Sequence, residues 1–438
     1  MTKSKVPVTL LTPDNENIAS NNVDDGASDD KATPSADNEN ASLAKPKSKP
    51  KSKSKPKNSP FCPPDKLKIN KKTDHFFISI NKRKGDVHSF VMLGIYDPKK
   101  NKVQRVLCRV GKWGDSGIDE PDYADSMTFI CNALFFSNKS KLGDEGVWRE
   151  GAELQPMSYQ AYDISYEQYL EFVQILESIQ TDKNTFGCYK PGIKENPQKT
   201  AQDHTTEQPQ VEDSGSLSPS EPATLVSSEP QDENPDLVTL TYSIQRVFPS
   251  RDVRKVQESV NGLNIHNTCR HSAIRLVEEV QHAPVGSMVS SCFLWGLPYE
   301  TYLDHGKPSE NVPFYALPAP PTTFAHLDEI KLNVLKKLYT RMEEMLCLEP
   351  DSPDTQDKFA TLRDKYLDLA GPKNDLSLDA LLEDIHTWKV TNKSTLEVLR
   401  EKYLWDYLPF FKRTSSTMKL VSELENDLET EIKFRTHG

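Results

Sequence analysis

A cysteine stands where a polar stretch of the chain turns into an amphipathic helix. In NGLNIHNTCRHSAIRLVEEV, residues 261–280, Cys269 falls at the start of the helical pattern. The first amide hydrogens of a helix have no partners within it, and the helix dipole is positive there, so both favour a thiolate. The position therefore indicates a nucleophile, and the alternative is an inert buried thiol.

A thiolate of this kind needs an imidazole base within hydrogen-bonding reach, and the chain has 10 histidines. His271 points about 200° away from Cys269 on the same helix, and nothing in the polar loop fixes His266. His88 begins the apolar strand of GDVHSFVMLGIY, where a rigid sheet would hold its ring. We therefore predict His88 as the base, against the alternative of a strand-end histidine without a catalytic role.

The hairpin that follows His88 offers an acid to orient the imidazole. If its turn centres on residues 99–100, His88 lies across from about Gly111. Trp113 and Asp115 then share the face of His88, because side chains alternate along a strand. Asp115, in WGDSG, is the predicted orienting acid. The alternative is that it is only a turn residue.

The remaining parts of such a site are donors for an oxyanion. The amide of Cys269, together with Asn264 or Asn267, is expected to supply them. The 7 cysteines are scattered and show neither a C-x-x-C pair nor a zinc-type spacing with histidine. The sequence therefore predicts free thiols in a reducing compartment, no metal site and no cofactor.

The hydrophobic pattern around these residues predicts an α+β fold. DHFFISINKRKGDVHSFVMLGIYDPKKNKVQRVLCRV predicts three strands, and the middle one is nearly all apolar, as in a strand covered on both faces. DPKKNK predicts a hairpin turn, and SYEQYLEFVQILESI repeats apolar residues at helical spacing. We expect an antiparallel sheet packed on the helix that begins at Cys269, in a domain of residues 61–325.

Composition divides the rest of the chain. Residues 1–60, rich in Lys, Pro and Ser, and an insertion at residues 192–235 are predicted to be disordered. The proline-rich patch that runs from SSCFLWGLPYETYL to VPFYALPAPPTTF is expected to wrap the surface of the domain. Residues 326–438 repeat apolar residues at helical spacing, which predicts a helical bundle with an acidic C-terminal helix.

The overall composition excludes several classes of protein. A net charge of -11 argues against a general nucleic-acid binder. No apolar run approaches the roughly 20 residues of a membrane span, and MTKSKVPVTLLTPDNEN lacks the apolar core of a signal peptide. We expect no nucleic-acid partner, no membrane span, and either a cytoplasmic location or export without a cleaved signal.

HSFVMLGIYDPKKNKVQ, followed far downstream by NTCRHSAIRL, resembles thiol hydrolases in which a histidine strand precedes a cysteine helix. One such group is the permuted papain-like set, including the PPPDE isopeptidases and the lecithin:retinol acyltransferase group, with a motif like Asn-Cys-x-His. The other is the ubiquitin-like-protein proteases, which have a His strand, a turn, a strand carrying an acid, and a glutamine before the cysteine. Either resemblance implies a papain-like thiol hydrolase core.

The layout of the whole chain also resembles effectors that intracellular bacterial pathogens deliver into host cells by Dot/Icm type IV secretion. The shared features are the disordered segments, the hydrolase-like core and a glutamate-rich C-terminal helix, here ELENDLETE. An acidic solvated helix face would give the same pattern. The resemblance implies recognition by the secretion machinery and a location in the host cytoplasm.

These observations lead to two hypotheses. The first is a cysteine hydrolase that acts on a peptide or isopeptide bond in a ubiquitin-like conjugate, with acyl transfer as the second substrate class. The second is a non-catalytic interaction protein that binds a host protein through a degenerate hydrolase scaffold and the helical bundle. The extra Thr268 and the absence of a glutamine shortly before Cys269 favour the second. The helix-start cysteine with an upstream strand histidine favours the first.

Overall fold

The structure is a computed structural model, and it describes eight ranges of the chain. They are residues 64–84, 88–114, 138–149, 153–192, 234–286, 288–371, 376–399 and 413–437. All of them belong to one compact unit, Lys57–Gly438. The segments predicted to be disordered, 1–60 and 192–235, lie almost entirely outside the described residues, and so does Asp115.

The described ranges contain ten strands in two antiparallel sheets. In chain order the strands are β1 (Lys66–Asn70), β2 (His75–Arg83), β3 (Ser89–Asp97), β4 (Lys102–Gly114), β5 (Ser140–Asp144), β6 (Gln155–Ile164), β7 (Cys188–Pro191), β8 (Leu237–Ser243), β9 (Tyr299–Asp304) and β10 (Lys307–Pro308). The larger sheet has the strand order β10-β9-β6-β2-β3-β4-β5, and the smaller has the order β1-β8-β7.

Eight α-helices accompany the sheets in the described part of the chain. They are α1 (Tyr166–Ile179), α2 (Arg254–Val260), α3 (Cys269–Gln281), α4 (Glu329–Leu346), α5 (Pro353–Ala370), α6 (Leu378–Thr391), α7 (Lys393–Leu396) and α8 (Ser416–His437). The predicted α+β class is confirmed. No helix within the described ranges is both long enough and apolar enough to cross a bilayer.

The hairpin of β3 and β4 forms at the predicted turn, but its register differs from the simple expectation. Two register shifts along the hairpin add two residues to β4, so that Gly111 pairs with Phe90 and not with His88. Because a shift of two residues keeps every side chain on its original face, Trp113 still lies on the face of His88. Their rings stack with centroids 4.2 Å apart.

Helix α3 packs on the larger sheet through one apolar face. Leu276, Val277 and Val280 on that face are fully buried, and α3 contacts β2, β3 and β4 as well as α1. The amide of Gln168 in α1 donates to the carbonyl oxygen of Val280 at 2.9 Å, which ties the two helices together. This packing directs the first residue of α3 toward the end of the sheet where β3 begins.

The second half of the proline-rich patch, VPFYALPAPPTTF, packs largely into the core, so the expectation that this half wraps the surface is wrong. Phe314 and Tyr315 are 2% and 1% exposed. The ring of Phe314 stacks on Tyr159 of β6 at 4.8 Å, and that of Tyr315 packs against Phe359 of α5 at 4.9 Å. The aromatic residues between the prolines therefore join the sheet to the C-terminal helices.

An ion pair between the buried Arg363 and the partly buried Asp163 makes the same connection. The guanidinium group of Arg363 in α5 donates to the carboxylate of Asp163 in β6 and, at 2.8 Å, to the hydroxyl group of Tyr96 in β3. Buried residues of the sheet and of the C-terminal helices form one continuous hydrophobic cluster. Residues 326–438 are therefore helical where they are described, but they share a core with the sheet.

Replacing Arg363 by Met should lower the free energy of unfolding by about 3 kcal/mol, because the carboxylate of Asp163, which is only 18% exposed, would lose its cation. The double variant Arg363→Met/Asp163→Leu should recover most of that loss, since it removes both charges. Urea denaturation followed by circular dichroism measures both effects. An unchanged unfolding midpoint in the single variant would show that this pair does not hold the helices to the sheet.

Candidate active site

The predicted nucleophile and base meet at one end of the larger sheet. Cys269 is the first residue of α3, and His88 directly precedes β3. The backbone N–H of Ser89 donates to the Cys269 sulfur at 3.2 Å, and the His88 ring hydrogen-bonds to the same sulfur. The structure therefore brings together two residues that are 181 positions apart in the sequence.

The acid that the structure brings to His88 is Glu145, which follows β5. Its Oε1 atom lies 2.6 Å from His88 Nε2, and its side chain is fully buried. Since Nε2 is engaged by the carboxylate, Nδ1 is the ring nitrogen that faces the sulfur. Asp115, the predicted orienting acid, lies outside the described residues. The described site is thus a row of thiol, imidazole and carboxylate formed by Cys269, His88 and Glu145.

Arginines surround the second oxygen of Glu145. Its Oε2 atom lies 2.7 Å from Arg83, 3.2 Å from Arg149 and 3.8 Å from Arg109. Arg83 and Arg109 are both buried, and the guanidinium of Arg109 stacks over the ring of Phe90 at 4.8 Å. Several cations around one carboxylate strongly favour its ionised form.

A glycine and a tryptophan of β4 determine how closely the imidazole and the carboxylate approach. A Cβ atom on Gly111 would lie 2.5 Å from His88 Nε2 and 2.6 Å from Glu145 Oε1. Only a residue without a side chain leaves room for this hydrogen bond. The ring of Trp113 stacks on the imidazole of His88 and covers that face of it.

The ionisation of the three groups follows from these contacts. Burial raises the pKa of Glu145, but the hydrogen bond and charge of His88 and the nearby arginines outweigh it and lower the pKa to about 2. Burial lowers the pKa of His88, but its hydrogen bonds to Cys269 and Glu145 raise it to about 9. Burial opposes ionisation of Cys269, yet His88 and the Ser89 N–H hold the pKa of the thiol below its ordinary value. These directions favour a thiolate–imidazolium pair near neutral pH.

Lys112, next to Gly111, binds the turn that precedes the nucleophile. Its ammonium group donates to the carbonyl oxygen of Ser259 at 2.8 Å, to that of Asn267 at 2.8 Å and to Asn267 Oδ1 at 3.0 Å. Burial lowers the pKa of Lys112 to about 8, and the nearby Cys269 opposes that shift. Lys112 therefore fixes the start of α3 and adds positive charge near the sulfur.

The two asparagines predicted for the oxyanion hole lie in this same turn. The amide nitrogen of Asn267 donates to the carbonyl oxygens of Glu258 and Asn261 at 3.3 and 3.4 Å. Oδ1 of Asn264 accepts the backbone N–H of His266 at 2.9 Å. These contacts hold the turn, so the backbone N–H of Cys269 is the better oxyanion donor. A direct oxyanion role for either asparagine stays a prediction.

The two histidines closest to Cys269 in the sequence are occupied elsewhere or exposed. His271 Nδ1 lies 2.9 Å from Thr268 Oγ1 and accepts the backbone N–H of Thr268 at 3.3 Å. It therefore caps the start of α3. His266 is exposed in the turn. His88 is the imidazole that the described residues bring to the sulfur.

Three contributors to the site were not found from the sequence: Glu145, Lys112 and the arginines. A signal did exist for two of the charged residues, since Arg109 and Lys112 interrupt the otherwise apolar run VLCRVGKW, and buried charges require partners. Arg83 lies in the polar stretch NKRKGD, which gives no such signal. Glu145 follows a five-residue strand, SKLGD, without clear alternation. Its pairing with β4 is not visible in local sequence.

The arrangement can carry out nucleophilic chemistry at a carbonyl carbon. Clusters of three or more His, Cys, Asp or Glu side chains able to hold a metal do not occur among the described residues. Comparison with known proteins gave no matching family model, no matching curated protein and no matching solved structure. Function is therefore inferred from the geometry of this site.

Replacing Gly111 by Ala should separate His88 from Glu145, because the added methyl group would occupy the space of their hydrogen bond. We expect alkylation of Cys269 by iodoacetamide at pH 6 to slow roughly tenfold, because a rise of about one unit in the thiol pKa lowers the thiolate fraction by that factor. Gly192→Ala is the matched control, since nothing lies within 4 Å of the position of its added Cβ. Equal rates in both variants would contradict the role of Gly111.

Replacing Glu145 by Gln should change the pH dependence of Cys269 alkylation. Without the carboxylate the pKa of His88 falls, and with less positive charge beside it the pKa of the thiol rises. In the native chain His88 and the Ser89 N–H hold the pKa of the thiol below its ordinary value, so the midpoint of the rate profile should move to higher pH in the variant. Rates measured from pH 5 to 10, with melting temperatures to verify folding, test this. A profile that does not move would exclude control of the thiol by Glu145.

Proposed function

We propose that the chain is a cysteine hydrolase in which Cys269 is the nucleophile, His88 the general base and acid, and Glu145 the residue that orients His88. The observation that carries the proposal is the continuous hydrogen-bonded row from thiol to buried carboxylate at the start of a helix. A structural cysteine needs neither a base nor an acid behind the base. This row meets the general requirements for an activated thiol nucleophile.

The reaction follows from the positions of the protons. The Cys269 thiolate attacks the carbonyl carbon, and the carbonyl oxygen becomes an oxyanion next to the N–H groups at the start of α3. The imidazolium of His88 gives its proton to the leaving amine, which leaves a thioester on Cys269. Neutral His88 then takes a proton from water, the resulting hydroxide attacks the thioester, and the acid product and the thiolate–imidazolium pair are formed.

Glu145 keeps the imidazole in one orientation throughout this cycle. Its hydrogen bond to Nε2 leaves Nδ1 to exchange protons with the sulfur, the leaving group and water. The arginine contacts keep the carboxylate ionised, so the imidazolium remains stabilised away from bulk water. Glu145 thus has the role that was predicted for Asp115.

The preferred substrate is a peptide or isopeptide bond in a ubiquitin-like conjugate. Its support is the resemblance of the sequence to thiol hydrolases together with the order His88, Glu145, Cys269 along the chain. In the ubiquitin-like-protein proteases the acid also lies between the histidine strand and the cysteine. The papain-like core belongs to the same proposal, and acyl transfer from a thioester or ester remains the second substrate class.

Delivery through a type IV secretion system into a host cytoplasm is part of the same proposal. Its support is the acidic helix α8, although Glu425 there is only 9% exposed and bonds to His386 and Lys389. Glu423 and Glu429 are exposed, and Glu429 and Glu431 pair with Lys433 and Arg435 along the same helix. These side chains form the acidic face that we propose the secretion machinery recognises. A scaffold that binds a host protein without catalysis is the competing function, and the reactivity of Cys269 distinguishes the two.

The Cys269→Ala variant should lose labelling by a ubiquitin-based probe with a thiol-reactive C-terminus, whereas Cys347→Ala should keep it. Cys347 is a matched control because the residue is exposed overall, whereas partial burial of its thiol, together with Glu343 and Glu344, raises the thiol pKa. Peptide mapping after iodoacetamide treatment at pH 6 gives a readout that does not depend on substrate. Preferential alkylation of Cys347 over Cys269 would contradict the hydrolase and favour the scaffold.

A further inference from the structure

A short loop beside the site exposes two large apolar side chains. It comprises residues 290–297, here called the Trp295 loop. Leu294 is 60% exposed and Trp295 is 68% exposed, although both follow a helix that is well packed. Leaving such large apolar side chains in water is unfavourable relative to burial.

The backbone of this loop is held in place at several points. Arg270 donates to the carbonyl oxygen of Ser290 at 3.0 Å and to that of Trp295 at 3.1 Å, and Lys82 donates to the carbonyl oxygen of Leu294 at 2.6 Å. The N–H of Leu297 donates to a serine hydroxyl of β6 at 3.0 Å. The exposed side chains therefore stand on a fixed backbone and are not on a frayed segment.

The same contacts connect the loop to the nucleophile. Arg270 directly follows Cys269, and its Nε atom donates to Ser89 Oγ at 2.9 Å. The N–H of Ser89 donates to the Cys269 sulfur, and Lys82 is the residue paired with Ser89 across β2 and β3. Ser89 is therefore the common neighbour of the sulfur and of both side chains that hold the loop.

Arg270 is a costly residue to use for a purely structural purpose. It is 0% exposed and has no carboxylate partner in the described part of the chain. Burying a cation whose hydrogen bonds go only to neutral oxygens is unfavourable. Burial lowers the pKa of Arg270, and the adjacent sulfur of Cys269 opposes that shift, so the charge of Arg270 serves both the thiol and the loop. Arg270 thus holds an exposed tryptophan close to Cys269. This arrangement indicates that the side chains of the Trp295 loop bind another molecule.

We infer that Leu294 and Trp295 form the substrate-binding surface for a large apolar residue of a polypeptide substrate close to its scissile bond. This inference rests on the proposed function and adds the class of residue that the site selects. A tryptophan on a rigid backbone is the residue type that most often dominates binding at protein surfaces.

The shape of the surface favours a polypeptide over a fatty acyl chain. Leu294 and Trp295 are each more than half exposed, so an opposing side chain or surface can cover them. An acyl chain requires a concave apolar pocket that encloses most of its length. A peptide residue needs to pack on one face of the indole only.

Two peptidyl chloromethyl ketones of equal length test the inference, one with leucine and one with serine at the two positions nearest the reactive carbon. The ratio of their Cys269 alkylation rates is the readout, so that a change in thiol reactivity cancels. We expect the native chain to prefer leucine about tenfold, and Trp295→Ala and the Leu294→Ala/Trp295→Ala variant to reduce the preference to less than threefold. Phe434→Ala, which removes a 75% exposed phenyl group from α8, should keep it.

Two results would overturn the inference: equal rates for the two ketones in the native chain, or a leucine preference that survives in the double variant. A third result would show that Leu294 and Trp295 bind acyl chains. In that case the native chain prefers p-nitrophenyl octanoate over p-nitrophenyl acetate, and the double variant loses this preference while its leucine preference is unchanged. Failure of the hydrolase proposal is distinguishable, because it appears as preferential iodoacetamide alkylation of Cys347 over Cys269.

Discussion

The ionised carboxylate of Glu145, buried at the end of the larger sheet, is the charge on which the arrangement of the site depends. Its two oxygens have different partners: one bonds to His88, and the other faces Arg83 and Arg149. Because the arginines stabilise the anion, the anion can stabilise the imidazolium, and the imidazolium in turn stabilises the Cys269 thiolate. Each ionisation in the row depends on the preceding one.

The sequence predicted that Cys269 and His88 lie together, and the structure brings the two side chains into contact. A cysteine at a helix start and a histidine at a strand start are both visible as changes in local periodicity, and such changes are determined by residues close in the chain. The α+β class, the β3–β4 hairpin and the helices α1 and α3 follow from the same local patterns. Periodicity does not predict that the hairpin and α3 pack together. That contact was predicted because a thiolate at Cys269 needs an imidazole such as His88.

The parts that could not be predicted depend on contacts between distant segments. Glu145 reaches His88 because a short strand pairs with the far end of β4, and nothing in SKLGD specifies that partner. Phe314 and Tyr315 lie in the core because aromatic rings of β6 and α5 stack on them, whereas their proline-rich context is typical of a surface loop. In both cases long-range packing outweighs local composition.

The two extra residues in β4 have a consequence for how this strand can vary. Inserting or deleting residues in pairs preserves the parity of the strand, whereas a single insertion or deletion between the turn and Gly111 would exchange its faces. Lys112 would then point toward the imidazole, and Trp113 toward the turn that precedes α3. This hairpin therefore tolerates insertions and deletions only of an even number of residues. Homologous hairpins should differ in length between the turn and the equivalent of Gly111 by even numbers of residues.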